Sequence, residues 1–273
     1  MSVERAWPGG LVWRWGAALA VALPLAVLTP PAAAQSPTMA PLPPHGTLLE
    51  GGLRWHGVDD ALASAARYQG DAVTLGAAHR YRSAGWRIGL GGSWTAGRLY
   101  PAGLEDPTSY EESLSVTVDN WFARRVWRSG DGRWAAFAGP AVAVDVGLRR
   151  HAYGGDPSYR YDNAFMGVEA TAILEWWPTG GGRLSERVAV PLAGLAVRTD
   201  YTGLAAPGPR VSVDLPPTFL LFRHRLEYRL PVRGRLALNV HHEGSVLRHT
   251  EPLDHAVAWH RLGLALEIAW GAP

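Results

Sequence analysis

The sequence predicts an all-β protein, a membrane-spanning, up-and-down antiparallel β-barrel of about ten strands, within a range of eight to twelve. Three observations carry that expectation. Apolar residues recur with period two, short glycine turns fall at regular intervals, and one strand face combines small and charged residues while the other is apolar and ends in tryptophan. The composition agrees, with 13 Trp and 32 Gly among 273 residues and no cysteine. A disulfide framework is therefore excluded.

The chain begins with an arginine-flanked polar region (Arg5, Arg14), an apolar run "GAALAVALPLAVL" (16–28) and the small residues Ala32 and Ala34 of "PAAAQ". That order is a signal peptide, with cleavage expected after Ala34; the run is short for a spanning helix, which needs about 20 apolar residues. Residues 1–34 are assigned to the leader, 35–46 to a Pro-rich extended tail, and 47–273 to the barrel. All 26 basic residues are Arg, which stays charged and grips carboxylates with two prongs. The net charge of +2 is small and no basic run stands out, so nucleic acid is not an expected partner.

Each strand is justified by its alternation. "WRIGLGGSW" (86–94) sets Trp86, Ile88, Leu90 and Trp94 against Arg87, Gly89, Gly91 and Ser93. "SLSVTVDNWF" (113–122) sets Leu114, Val116, Val118 and Phe122 against serines, Thr117 and Asp119. "FMGVEATAILEWW" (165–177) and "LGLALEIAW" (262–270) repeat the pattern. Turns at 82–85, 129–133, 179–183 and 231–235 have centres about 50 residues apart, room for two strands and a loop. Longer polar segments lie near 57–71, 99–109, 151–161, 201–210 and 250–256; a helical period is conceivable only in "DDALASAARY" (59–68). The predicted strands are 47–57, 71–81, 85–98, 110–127, 134–150, 162–178, 184–200, 211–230, 235–249 and 257–270.

The apolar face carries tryptophan near strand ends (Trp55, Trp86, Trp94, Trp176, Trp270), as an aromatic girdle does, and the opposite face has the small residues that a narrow lumen requires. A lipid-embedded sheet must also close, because an open edge leaves polar groups unsatisfied. With the leader, "AAAQ" and the terminal "LGLALEIAW", the chain resembles the outer-membrane β-barrel proteins of Gram-negative bacteria over its mature length; "GAP" after Trp270 departs from families that end on the aromatic. The resemblance implies an outer-membrane location, outer-membrane lipid, lipopolysaccharide and the insertion machinery as partners, and no particular activity or cofactor.

Pairing the apolar residues across "PVRGR" makes partner positions sum to 466. That register places Arg223 opposite Glu243, Arg225 opposite His241 and Glu227 opposite Asn239, all inward, where opposite charges are favourable. Glu169, Glu175, Arg87, Asp119, Asp145, Arg149, Arg261 and Glu267 share the inward parity, as do Glu50, Arg54, Arg80, Arg125 and Arg229. Both signs occur, so the expected lumen is a mostly filled charge network rather than a wide pore; barrels of about eight strands are just wide enough for side chains to fill. A structural or interaction role, or narrow passage of a small solute, follows.

"HHEGS" (241–245) raises the enzymatic alternative. The same register turns His224, His242 and His260 toward lipid, where outer-membrane phospholipase A and lipid A deacylase carry catalytic residues. No outward serine accompanies them, and "HxSNG" is absent. Ser245 faces inward with His241 and Glu243, about 7 Å per two-residue step apart. Likeness to the omptin proteases implies aspartates and an Asp–His pair at the outer rim, for which "DD" (59–60) and "DHAVAWH" (254–260) are candidates. A metal site needs ligands converging at ~2 Å from one ion, and no spacing requires one.

Overall fold

The computed structural model describes residues 43–60, 67–103, 108–153, 156–178, 181–198, 210–250 and 255–271. The strands are β1 (His45–Asp60), β2 (Arg67–Arg82), β3 (Trp86–Pro101), β4 (Tyr110–Arg128), β5 (Trp134–Tyr153), β6 (Asp156–Trp176), β7 (Arg183–Arg198), β8 (Arg210–Asp214), β9 (Phe219–Arg233), β10 (Leu236–His249) and β11 (His255–Trp270). Consecutive strands pair antiparallel except β8 with β9, β1 pairs with β11, and β6 pairs with β7, so the sheet closes on itself. Strand β7 pairs with β8 over its last five residues and with β9 over Arg183–Ala189. β8 and β9 are thus one wall position, broken where Pro216 and Pro217 cannot donate to the ladder, and the barrel has ten positions.

Side chains are distributed in the reverse of a soluble protein. Along β11, Leu262, Leu264, Leu266 and Ile268 are 45–55 % exposed while Arg261 and Glu267 are buried at 3 % and 0 %. The same inversion runs round the wall. An apolar belt faces outward, with Trp86, Trp134, Trp176 and Trp270 toward the short-turn rim and Trp55 and Trp94 toward the long-loop rim. Only an apolar solvent makes that belt favourable. Inside, glycines create the room that the lumen side chains fill. The Trp121 indole lies over Gly89, the His241 ring over Gly263 and the Phe219 ring over Gly194, in places a Cβ would occupy.

The structure corrects the predicted hairpin. Gly234, at φ +56, and Arg235 form its two-residue tip, followed by a bulge at Leu236/Ala237, and partners then sum to 468. The turn is centred one residue later than the apolar pattern alone implies. A shift of two keeps every face but changes every partner: Arg223 is opposite Ser245, Arg225 opposite Glu243, Glu227 opposite His241, and Arg229 opposite Asn239. His224 lies across from Gly244, not His242.

The long-loop ends also differ. β1 runs to Asp60 and β2 begins at Arg67, so both ends of "DDALASAARY" are strand and its 61–66 portion lies outside the described residues. β5 and β6 continue to Tyr153 and from Asp156, which turns most of the loop expected at 151–161 into ladder. The leader and most of the Pro-rich tail fall outside the described residues, although His45 and Gly46 of the tail belong to β1.

Candidate functional site

The inward face of the short-turn half is a system of arginines and carboxylates in three ion-paired groups. Near the rim, Arg82 (2.6 Å) and Arg229 (3.0 Å) hold Glu267, which also accepts from Asn239. Arg87 donates two bonds to Glu175 at 2.7 and 2.8 Å, and Arg183 adds a third at 3.0 Å. Arg183 reaches on to Glu227 (3.5 Å), which Arg80 grips with both prongs and Arg225 approaches to 3.1 Å. Higher in the lumen, Glu50 accepts from Arg225 (2.8 Å) and Arg261 (3.1 Å), and Arg261 also donates to Glu243. Across the barrel, Arg187 and Arg223 converge on Asp119, and Arg223 takes Glu169 as well.

Several of these pairs join strands that are not neighbours in the sheet, as Arg80 of β2 with Glu227 of β9 and Arg223 of β9 with Asp119 of β4, so they tie the barrel across its width. Bidentate, charge-assisted bonds are the strong form of such contacts. Arg87 also covers the Phe137 ring at 4.2 Å, so its stem packs while its head pairs.

Arg54 departs from this pattern. It is 3 % exposed, donates to Thr95 (3.3 Å) and Ser115 (3.4 Å), and lies over the Trp259 ring at 4.1 Å. Among the described residues no carboxylate is within ion-pair distance of it. Asp145 accepts from Thr117 at 3.0 Å instead. Between the arginines and a wall of small residues on β2 and β3 (Thr74, Ala78, Gly89, Gly91, Ser93) lies a small, partly open cavity.

The long-loop third is filled differently. Phe165, Phe219, Leu221, Leu247, Ala143 and Ala196 form one apolar cluster, Val58, Tyr68 and Leu99 another, and Val257 packs against both. Buried histidines line this layer: His255 stacks on Phe165 at 5.1 Å, and His151 meets Tyr68 edge-on and lies 3.4 Å from Glu111, which also faces Arg149 at 3.5 Å. The His249 Nε2 is 2.8 Å from Asp214 and 3.2 Å from Ser212. A serine relay needs the carboxylate on one ring nitrogen and the hydroxyl on the other; here both meet Nε2, so the three residues do not form one.

The structure thus places Arg223, Glu243, Arg225, Glu227, Glu169, Glu175, Arg87, Asp119, Arg261 and Glu267 in one interior system. Asp145 adjoins it through Thr117, and His241 lies buried over Gly263. Arg149 sits apart, in the long-loop third with Glu111. The expected contact of Arg223 with Glu243 is replaced by Glu169 and Asp119. Sequence reasoning missed Arg82, Arg183 and Arg187. Arg82 sits two residues beyond Arg80 on the same face, and "RLSERVAV" alternates Arg183, Ser185 and Arg187 inward, a signal masked by the outward Glu186.

The outward histidines form a ladder with ring centroids 5.1 Å (His224–His242) and 5.9 Å (His242–His260) apart, continued by Trp55 stacked on His260 at 4.9 Å. Among the described residues no group of three or more His, Asp or Glu side chains is arranged to hold a metal ion.

No protein-family model matches the sequence, and no curated protein matches it. Among solved structures, the barrel is similar to the outer membrane protease OmpT from Escherichia coli, at 7 % identity, covering 85 % of this chain and 99 % of that one with a TM-score of 0.56. Weaker likenesses reach Neisserial surface protein A (7 % identity, 82 % and 97 % covered, TM-score 0.36) and Ail of Yersinia pestis (10 %, 82 % and 98 %, TM-score 0.33). At these identities the likeness concerns fold alone. The chain is a closed, ten-position antiparallel barrel with an apolar exterior. Its architecture is that of Gram-negative outer-membrane β-barrels.

Proposed function

We propose that the protein is an integral outer-membrane barrel with a closed lumen, exported by its leader (1–34), and that its role is structural or interactive rather than the passage of solutes. The lipid and lipopolysaccharide of the outer membrane are then the partners of its apolar belt. The observation that carries this reading is the apolar layer across the long-loop third, where Phe165, Phe219, Leu221 and Leu247 occupy the lumen above the ion-pair network. The side chains of this third, apolar and polar alike, are buried, so they leave no open path for water and ions between them. A hydrolase at the long-loop rim finds less support: His249 and Asp214 form a pair, but Ser212 competes for the same nitrogen.

Single-channel recording of the folded protein in a planar bilayer tests the reading. A silent bilayer, with insertion verified independently, is the expected outcome. Discrete, reproducible conductance steps would overturn it.

A further inference from the structure

We propose that the cavity in the short-turn half of the lumen is a binding site for one small multivalent oxyanion, of the class of inorganic phosphate or sulfate. The argument starts from charge. The interior system described above, with Arg54 and Asp145 included, holds ten arginines against eight carboxylates. Arg149 does not alter that difference, because Glu111 faces it. Arginine cannot shed its proton in a protein, so the surplus of two positive charges stays. Charge taken out of water and left unpaired is costly, and a barrel wall facing lipid makes it more so. One dianion balances the account.

The lining supplies the second, independent observation. The carboxylates there are already occupied: Glu50, Asp119, Glu175, Glu227 and Glu243 each accept from one or more guanidinium groups. The donors are not used up. Buried N–H groups without a partner remain at Arg54 Nε, Arg82 Nε and Nη2, Arg183 Nε and Arg261 Nε; all four residues line the cavity, and a ligand meets these enclosed N–H groups as a guanidinium turns toward it. Ser93 and Ser185 add hydroxyls to the same lining. A lining rich in spare donors and poor in spare acceptors suits a ligand that only accepts. The planar guanidinium fork matches the oxygens of a tetrahedral oxyanion.

Arg54 is the residue on which selectivity turns. It has no carboxylate partner among the described residues, and Thr95, Ser115 and Trp259 hold it in place. Ser93, a small side chain on the facing wall, lines the space opposite. The apolar layer separates the cavity from the long-loop rim, so the ligand arrives from the short-turn side as a free anion. A lipid head group, tethered outside the wall, does not reach it.

The experiment is titration calorimetry of inorganic phosphate into the full-length protein folded in a phospholipid-free detergent, against a chloride control of equal ionic strength. The expected result is a saturable isotherm with one site per barrel. Arg54→Gln is expected to weaken it about tenfold or more, as loss of a charged hydrogen-bond donor does. Ser93→Asp, which adds a carboxylate to the cavity wall, keeps the test open if Arg54→Gln does not fold. It supplies part of the missing negative charge and is expected to abolish binding. Heat no greater than in the chloride control would overturn the proposal. So would an isotherm unchanged in either folded variant, which would assign the anion to surface arginines.

Discussion

The two halves of the lumen fill the same cylinder by opposite means. Toward the short turns, long charged side chains reach across and meet in pairs. Toward the long loops, aromatic and aliphatic side chains from β5, β6, β9 and β10 pack into an apolar layer edged by histidine. The difference teaches that a narrow barrel closes wherever its interior volume is used, whatever the polarity. What polarity decides is how the closure fails. An ion-pair network fails by leaving a charge stranded, and an apolar layer fails by leaving a hole.

Breaking the charged half is expected to have the largest effect. Glu169 is 0 % exposed and is held by Arg223, which also shares Asp119 with Arg187. Arg223→Ala should therefore destabilise the barrel by about 3–5 kcal/mol, the usual cost of stranding one buried partner. The unfolding midpoint in detergent measures it. The double change Arg223→Met with Glu169→Leu removes both charges and should recover most of the loss. No recovery would mean that Arg223 acts mainly through Asp119.

The apolar half should respond in another way. Phe219→Ala removes a ring that is 0 % exposed and that rests on Gly194 beside Phe165. The expected loss is about 3–4 kcal/mol, and no polar substitution elsewhere should rescue it. The same variant sharpens the comparison in a bilayer, because thinning the layer that separates the two ends should raise leak current above the parent. An unchanged leak would place the seal in the ion-pair half.

How much of this was legible in the sequence follows from the same contrast. Within the apolar belt, Leu262 to Trp270 alternate sharply against Gly263 to Ala269, so faces and inward charges could be read from parity. Partners could not. The hairpin register depends on Gly234 occupying a left-handed conformation and on a bulge beside Leu236, and a two-residue slip leaves every hydrophobic pattern intact. The histidine-edged layer was hidden for a different reason. Beyond the belt the outward residues become polar, as at Arg98, Arg150 and Arg248, so the alternation that marks a strand fades although the ladder continues. His151 and His255 therefore fell into expected loops. Arg183 and Arg187 were hidden because Glu186, on the other face, broke the polarity contrast.

That fading belt yields the smallest prediction. Arg98 and Glu112 form a cross-strand ion pair at 3.3 Å on the outer face near the long-loop rim, with side chains 58 % and 42 % exposed. They have the chemistry of the Arg223–Glu169 pair and none of its burial. Water solvates both charges before and after the pair is broken, and salt screens them. Arg98→Ala should therefore move stability by less than about 1 kcal/mol, with some of that coming from lost packing over the Tyr110 ring at 4.7 Å. Unfolding in low and high salt separates the two parts, since only the ionic one responds to salt. A loss as large as that for Arg223→Ala would mean that this face is desolvated, and that the lipid belt reaches higher on β3 and β4 than the change from apolar to charged residues indicates.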